Sequence, residues 1–267
     1  MDFRYGAARN LYAEGQHPRI YIGRRDLSIL RRRVAGGIGE KPFSTLRSRL
    51  QPYVDVVADG RADTSIDANV LTTRWTPENC FLRGARDVAF ACAMTGDVRM
   101  LHGLRRLLVS DPVGECGGSG PNAVIADAFD LVYHLLEPKV RRIVARRLLA
   151  DAKERIKRSC DSYYYQAARN ITIDETLPAI TSLLAIRNGP GLPSVEGELT
   201  RLIGFLDATL QAQLGRDGYP EGDIGYGSME GANLAFRAES LRRAGLYDPY
   251  TGGRAYRHFG RAMLHMG

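Results

Sequence analysis

The feature that most constrains the fold of this chain is a long succession of apolar residues at helical spacing. In the clearest case one face of a helix would carry Leu199, Leu202, Ile203, Leu206, Leu210 and Leu214. The same period recurs in 81–92, 98–108, 125–136, 140–156 and 177–184. No stretch alternates apolar and polar residues over a useful length, as a half-buried strand would. The sequence therefore predicts an all-α protein.

Proline and aspartate indicate where several of these helices begin. Asp26 is predicted to cap a helix that carries Leu27 on its apolar face, and a second helix is predicted to start near Pro42. Pro121 fits the first turn of a helix, where a missing N–H costs nothing, and helices are also predicted from Pro77 and from Pro138.

The later part of the chain follows the same pattern. A helix is predicted from about Asp174 to Arg187, and the glycines and prolines of 188–193 indicate a loop after it. A last helix is predicted to stop at Ala244-Gly245. Helical hairpins in series can form a bundle, a solenoid or a closed toroid, and no fixed repeat length supports a regular solenoid. No boundary divides the chain, so we expect one domain over residues 1–267.

The balance of charge favours a polyanionic partner. The formal net charge is +7 and most of the cationic residues are arginines, which attract polyanions at long range. Nucleic acid, acidic polysaccharide and a merely solvated basic surface all remain open. No cysteine pair has the C-x-x-C spacing of a metal or redox site, and we expect isolated thiols at Cys80, Cys92, Cys116 and Cys160.

No apolar run approaches the roughly 20 residues that a membrane-spanning helix needs, so no membrane partner is expected. The first residues lack the apolar region of a signal peptide. The protein is therefore predicted to be cytoplasmic, or to be exported by a signal outside this chain.

The loop 217–231 is the best candidate for a binding loop. It contains five glycines, and glycine lets the backbone approach a ligand closely. It also contains the phenols of Tyr219 and Tyr226 and the carboxylates of Glu221 and Asp223, which can exchange protons or bind hydroxyl groups. A plain connection between two helices is the alternative.

Five motifs in this order resemble a known family. They are His17-Pro-Arg-Ile20 with Asp26-Leu-Ser-Ile-Leu-Arg-Arg-Arg33, Ala89-Phe-Ala-Cys-Ala-Met-Thr-Gly-Asp97, Ala126-Asp-Ala-Phe-Asp130 with Leu136-Glu-Pro138, the helix start at Asn170, and Asp217-Gly-Tyr-Pro-Glu-Gly222 with Gly225-Tyr-Gly227. Together they resemble the N-terminal helical domain of heparinase II/III-like and related alginate lyases, over nearly the whole chain. The resemblance implies an incomplete (α/α) toroid of antiparallel helical hairpins, and a periplasmic or secreted location.

The family also has a β-sandwich region after the toroid. This chain ends inside a helical pattern at 259–267, so we expect it to be cut before that region. By resemblance the absent β-domain would pack against the toroid.

The resemblance further implies β-elimination on a uronic-acid polysaccharide, with no cofactor and no metal in this chain. The substrate carboxylate must be neutralised, a base must remove the neighbouring proton, and an acid must protonate the leaving oxygen. By position, Tyr226 matches the family's proton-donating tyrosine and Asn170 matches the residue that binds the carboxylate. Capping by Asn170 and packing by Tyr226 remain the alternatives.

Further substrate contacts are expected from Arg169, Glu221, Tyr219, Tyr164 and His134. Each has an ordinary structural alternative, for example a core or rim histidine at His134. The sequence departs from the family after Asn170, where Ile171-Thr-Ile173 replaces a further Asn, His or Trp. A non-catalytic glycan-binding toroid is therefore an alternative. A nucleic-acid or protein-binding scaffold that uses the Arg-rich helix 138–158 is less favoured, because charge alone supports it.

Overall fold

The structure, a computed structural model, describes residues 16–58, 77–109, 121–158, 170–189, 191–213, 239–248 and 258. Within these ranges 80% of the residues are helical and none forms a strand, which confirms the all-α prediction. The helices are α1 (Arg24–Ala35), α2 (Glu40–Ala58), α3 (Pro77–Thr95), α4 (Val98–Val109), α5 (Pro121–Val132), α6 (Pro138–Ile156), α7 (Asn170–Ile186) and α8 (Glu196–Gln213). A 3-10 turn, Tyr133–Leu135, follows α5, and residues 239–243 are helical.

The predicted helix starts at Pro77, Pro121 and Pro138 are confirmed. The prediction that Asp26 caps α1 is wrong in position. The N-cap is Gly23, and Asp26 is the third helical residue. The Asp26 carboxylate accepts a hydrogen bond from the backbone N–H of Gly23 at 2.7 Å. An acidic residue inside the first turn can therefore satisfy a free N–H at the helix start as well as an N-cap residue does.

Three other predicted boundaries shift. The helix α2 begins at Glu40, two residues before Pro42. The helix α7 begins at Asn170, which confirms the helix start named among the resemblance motifs, rather than at about Asp174, as the apolar spacing predicted. The helix predicted to run through Leu136 is α5. Its α-helical part ends at Val132, and the 3-10 turn Tyr133–Leu135 follows directly. Apolar spacing identifies a helix better than it identifies the last turn, which often tightens in this way.

The described chain divides into two compact units that meet in sequence within α6, one of residues 16–148 and one from Leu149 onward. The prediction of a single domain over residues 1–267 stays a prediction. In the first unit α3 packs against α5 and also contacts α1, α2 and α4, while α2 packs against α4. Alanines such as Ala89 and Ala126 are fully buried in α3 and α5, and such small side chains let helix backbones approach closely.

The helix α5 is buried on every side. Its apolar residues from Ala123 to Val132 are at most 9% exposed, apart from Leu131, and so are its two carboxylates, Asp127 and Asp130. A carboxylate in such surroundings costs several kcal/mol unless it is paired or protonated. The partners of Asp127 and Asp130 therefore decide what this part of the molecule does.

In the second unit α7 packs against α8. Arg187, just after α7, makes a bidentate ion pair with Glu196 at the start of α8, with N–O distances of 2.6 and 3.0 Å. The Tyr247 hydroxyl donates to Asp207 of α8 at 2.6 Å. These bonds tie the loop after α7 and the segment 239–248 to α8. In the part of the chain that the structure describes, no helix is long and apolar enough to cross a membrane.

Candidate functional site

Asp130 binds the extended segment that precedes α1. One carboxylate oxygen accepts from the imidazole Nδ1–H of His17 at 2.7 Å, and the other accepts from the backbone N–H groups of Arg19 and Ile20, both at 2.9 Å. An extended segment outside a sheet leaves such N–H groups without backbone partners, and burial would then destabilise them. We call these four residues the Asp130 network.

Aromatic rings complete the surroundings of His17. Its imidazole stacks on Tyr133 with the centroids 3.7 Å apart and meets Phe129 edge-on at 6.3 Å. Burial lowers the pKa of His17 although Asp130 opposes the change. The imidazole is therefore neutral at pH 7, and because Asp130 can only accept, its proton lies on Nδ1. The peptide bond between His17 and Pro18 is cis.

Asp127, one turn before Asp130, forms an ion pair with Arg86 of α3. Burial raises the pKa of this carboxyl to about 7, and the Arg86 guanidinium opposes the rise. Arg86 is 46% exposed at its side chain, whereas Asp127 is almost completely buried. A small cavity of about 270 Å³ lies here, with walls that include Leu30 and Phe90.

His134 lies in a cluster of positive charge. Its ring is exposed, and partial burial together with the charges of Arg31, Arg24 and Arg141 lowers its pKa. The Arg141 guanidinium lies over the Tyr133 ring, 4.6 Å from the centroid, a cation–π contact that holds it in place. We call Arg24, Arg31, His134 and Arg141 the basic cluster.

The Asp130 network positions the basic cluster. Tyr133, which stacks on His17, directly precedes His134, and the Nε of Arg24 donates to the His17 carbonyl at 3.4 Å. The side chains that hold the cluster are therefore buried, whereas Arg24, Arg31 and His134 are exposed and Arg141 is half-buried. Three guanidinium groups can bind a carboxylate or a sulfate, and an imidazole that is neutral at pH 7 can accept a proton from a bound ligand.

The structure locates only two of the residues predicted to form the site. His134 is exposed within the basic cluster, and Asn170 is the first residue of α7, with its side chain outside the described part. The others lie outside the described residues, and their roles stay predictions: Tyr226, Arg169, Glu221, Tyr219 and Tyr164. We also expect Asn170 and Tyr226 to lie on one groove, because each follows a helix whose end should lie on the same rim of the toroid. This prediction falls outside the described residues for the same reason.

Sequence reasoning did not assign roles to Asp127, Asp130 and His17, which belong to the resemblance motifs. A usable signal was present, since two carboxylates one turn apart in an otherwise apolar helix need buried partners. Among the described residues no group of three or more His, Cys, Asp or Glu side chains could hold a metal ion.

Comparison with known proteins adds no identification. No protein-family model matches the chain, and no curated protein matches it either.

Proposed function

We propose that this chain is the helical domain of a polysaccharide lyase, which binds an acidic, uronic-acid-containing polysaccharide and contributes to its cleavage by β-elimination. The observation that carries the proposal is the basic cluster, in which the charges of three arginines act on an exposed histidine and lower its pKa. β-Elimination needs positive charge at the substrate carboxylate and a base at the neighbouring carbon. In this proposal the arginines bind the carboxylate and His134 contacts the sugar that carries it.

The packing of the first unit supports an (α/α) toroid as the architecture. Alternate helices contact one another, α2 with α4 and α3 with α5, and the consecutive pairs from α1 to α4 also pack. Contacts of both kinds are typical of helical hairpins arranged in two layers. The inner layer would contain α5, which is buried on every side.

The resemblance motifs support the same family. His17-Pro-Arg-Ile20 and Ala126-Asp-Ala-Phe-Asp130 are far apart in sequence, yet they form one hydrogen-bonded network. Residues that hold each other in this way are needed for the fold whatever the substrate, which accounts for motifs without an evident catalytic role. The catalytic assignments of Tyr226 and Asn170 remain part of the proposal.

The test is to incubate the chain with heparan sulfate, alginate and hyaluronan, and to record binding as well as the ultraviolet absorbance of the unsaturated product. We expect weak binding and little or no cleavage. If product forms, Tyr226→Phe should abolish it. Losing one proton-transfer group typically costs ~10²–10⁴ in rate.

His134→Gln tests the basic cluster in the same assays. Glutamine keeps a hydrogen-bonding group but cannot accept the proton, so any product that the wild type forms should be lost, while binding should fall by less than about threefold. Arg142→Ala is a control, because Arg142 is exposed on α6 next to Arg141 and does not belong to the cluster. No binding to any of the three polysaccharides would refute the proposal.

A second candidate function is glycan binding without catalysis. The observation that favours it is Ile171-Thr-Ile173, which places apolar and hydroxyl side chains where the family has further Asn, His or Trp. Because the helical domain is also expected to cleave poorly, the two candidates differ in trace product. Unsaturated product that forms slowly with the wild type and not with Tyr226→Phe would support the lyase, whereas equal binding by both with no trace of product after prolonged incubation would support this candidate.

A further inference from the structure

A groove of about 500 Å³ lies between α1, α2 and the C-terminal end of α3, all within the first unit. Its volume falls in the range of about 300–1,000 Å³ that ligand sites usually have. The lining includes two guanidinium groups, two hydroxyl groups, an amide and an aromatic ring, from Arg31, Arg47, Ser44, Ser48, Gln51 and Phe43. We call it the α1–α2 groove.

One of the two arginines in this groove, Arg31, is held in place by a neutral group. Arg31 donates from Nε to the Ala93 carbonyl at 2.9 Å, close to the end of α3. A backbone carbonyl fixes the direction of a guanidinium group but cancels none of its charge, and a fixed side chain loses less entropy when a ligand binds. Glu40 is the acidic residue of the lining, so Arg31 and Arg47 leave the groove with an excess of positive charge.

The groove is electrostatically continuous with the basic cluster through Arg31. This residue lines the groove and also belongs to the set of arginines that lowers the pKa of His134. On α1, Arg24 and Arg31 are seven residues apart, or about two turns, and so share one face of the helix. Positive charge therefore extends from the arginines near His134 along α1 to Arg31, and in the groove to Arg47 on α2.

The floor of the groove does not suit stacked nucleobases. Phe43 is only 9% exposed and meets Phe90 edge-on, with the centroids 6.1 Å apart. Binding of single-stranded nucleic acid depends on exposed aromatic faces on which bases can stack. Exposed Ser44 and Ser48 instead offer hydrogen bonds to a ligand rich in hydroxyl groups.

We infer that the α1–α2 groove is a second binding site for acidic oligosaccharide, in which Arg31 and Arg47 bind a sugar carboxylate or sulfate and Ser44 and Ser48 bind its hydroxyl groups. The inference rests on the proposed function and extends it to a sugar unit away from His134. One chain of sugars would then contact both the basic cluster and the groove.

The test compares Arg47→Ala with Arg49→Ala. Both arginines are exposed on α2 and both substitutions remove one positive charge, but Arg49 does not line the groove. Binding of a fluorescent heparin hexasaccharide is measured by anisotropy at pH 7 and 100 mM salt. We expect Arg47→Ala to raise the dissociation constant about 3- to 10-fold, the effect expected from losing one partly exposed hydrogen bond to a charged group. Arg49→Ala should change the dissociation constant less than about twofold.

Each other outcome has a definite meaning. An equal loss of affinity in both variants would show that binding depends on diffuse charge attraction, and it would refute the binding site in the groove. An unchanged dissociation constant in Arg47→Ala would also refute the binding site. In both cases wild-type binding would persist and the proposed function would stand. If the wild-type chain binds no hexasaccharide, both the proposed function and the binding site in the groove are refuted.

Two further measurements sharpen the result. Ser48→Ala, which keeps all charges, should weaken hexasaccharide binding about twofold if the hydroxyl contacts the sugar. A 12-nucleotide single-stranded DNA serves as the competing polyanion. If DNA binds as tightly as the hexasaccharide and responds equally to Arg47→Ala, the ligand class is wrong.

Discussion

Replacing Asp130 with alanine should destabilise the protein far more than a typical surface change. The substitution removes the acceptor of His17 Nδ1–H and of the Arg19 and Ile20 N–H groups, in a site where Asp130 is 2% exposed. A buried donor left without a partner costs about 1–3 kcal/mol, so the loss of the acceptor for three donors should cost roughly 3–9 kcal/mol. A domain is typically stable by only about 5–15 kcal/mol.

Asp130→Asn provides the graded comparison. Its amide oxygen can accept from both backbone N–H groups, and its NH₂ can donate to His17 if the imidazole proton moves to Nε2. Hydrogen bonds then persist without the strengthening that a charged acceptor gives. We expect a loss of about 1–2 kcal/mol, well below that of Asp130→Ala.

The assay is urea unfolding followed by the helical circular dichroism signal at pH 7. Asp97→Ala is the matched control, because Asp97 accepts from the N–H groups of Arg99 and Met100 at 2.9 and 3.0 Å on an exposed helix start. Loss of such a cap costs about 1 kcal/mol. The reasoning would be refuted if Asp130→Ala cost no more than Asp97→Ala. Amide hydrogen exchange at Arg19 and Ile20 should also accelerate in Asp130→Asn.

Three further predictions concern single residues. The pKa of Asp127 is raised to about 7 from its usual 3.8, so the folded protein holds this proton more tightly and loses stability as the pH rises between these values. The free energy of unfolding of the wild type, relative to Asp127→Asn, should therefore fall from pH 4 to pH 7; a difference independent of pH would contradict this. Cys92 is fully buried and its pKa is raised to about 12, so iodoacetamide at pH 8 should label it only after unfolding, as peptide mass spectrometry would show. Gly96→Ala should cost about 1 kcal/mol because φ is +70° there, whereas Gly36→Ala, with φ at −175°, should cost much less in the same urea assay.

The sequence predicts the helices well because burial of one helix face leaves a local pattern. The starts at Pro77, Pro121 and Pro138 were predictable, since proline at a helix start acts within its own turn. The N-cap of α1, Gly23, was not predictable from local sequence, because an aspartate can satisfy backbone N–H groups either as the N-cap or from inside the first turn of the helix.

The candidate site was less predictable because it depends on contacts between distant residues. His134 could be named from the sequence, but the arginines around it come from α1 and α6. The role of Asp130 also requires knowing that the segment at His17 returns to α5. No local pattern carries that information, whereas a buried carboxylate at least signals that some partner exists.

The Asp130 network also bears on how fast the protein unfolds. Its hydrogen bonds join residues 110 to 113 positions apart, and closing a loop of that length costs chain entropy before the contacts can compensate for it. We therefore expect the network to be absent from the folding transition state. Interactions of that kind leave the folding rate almost unchanged and slow unfolding instead. The segment at His17 would then slow unfolding and so extend the lifetime of the folded state.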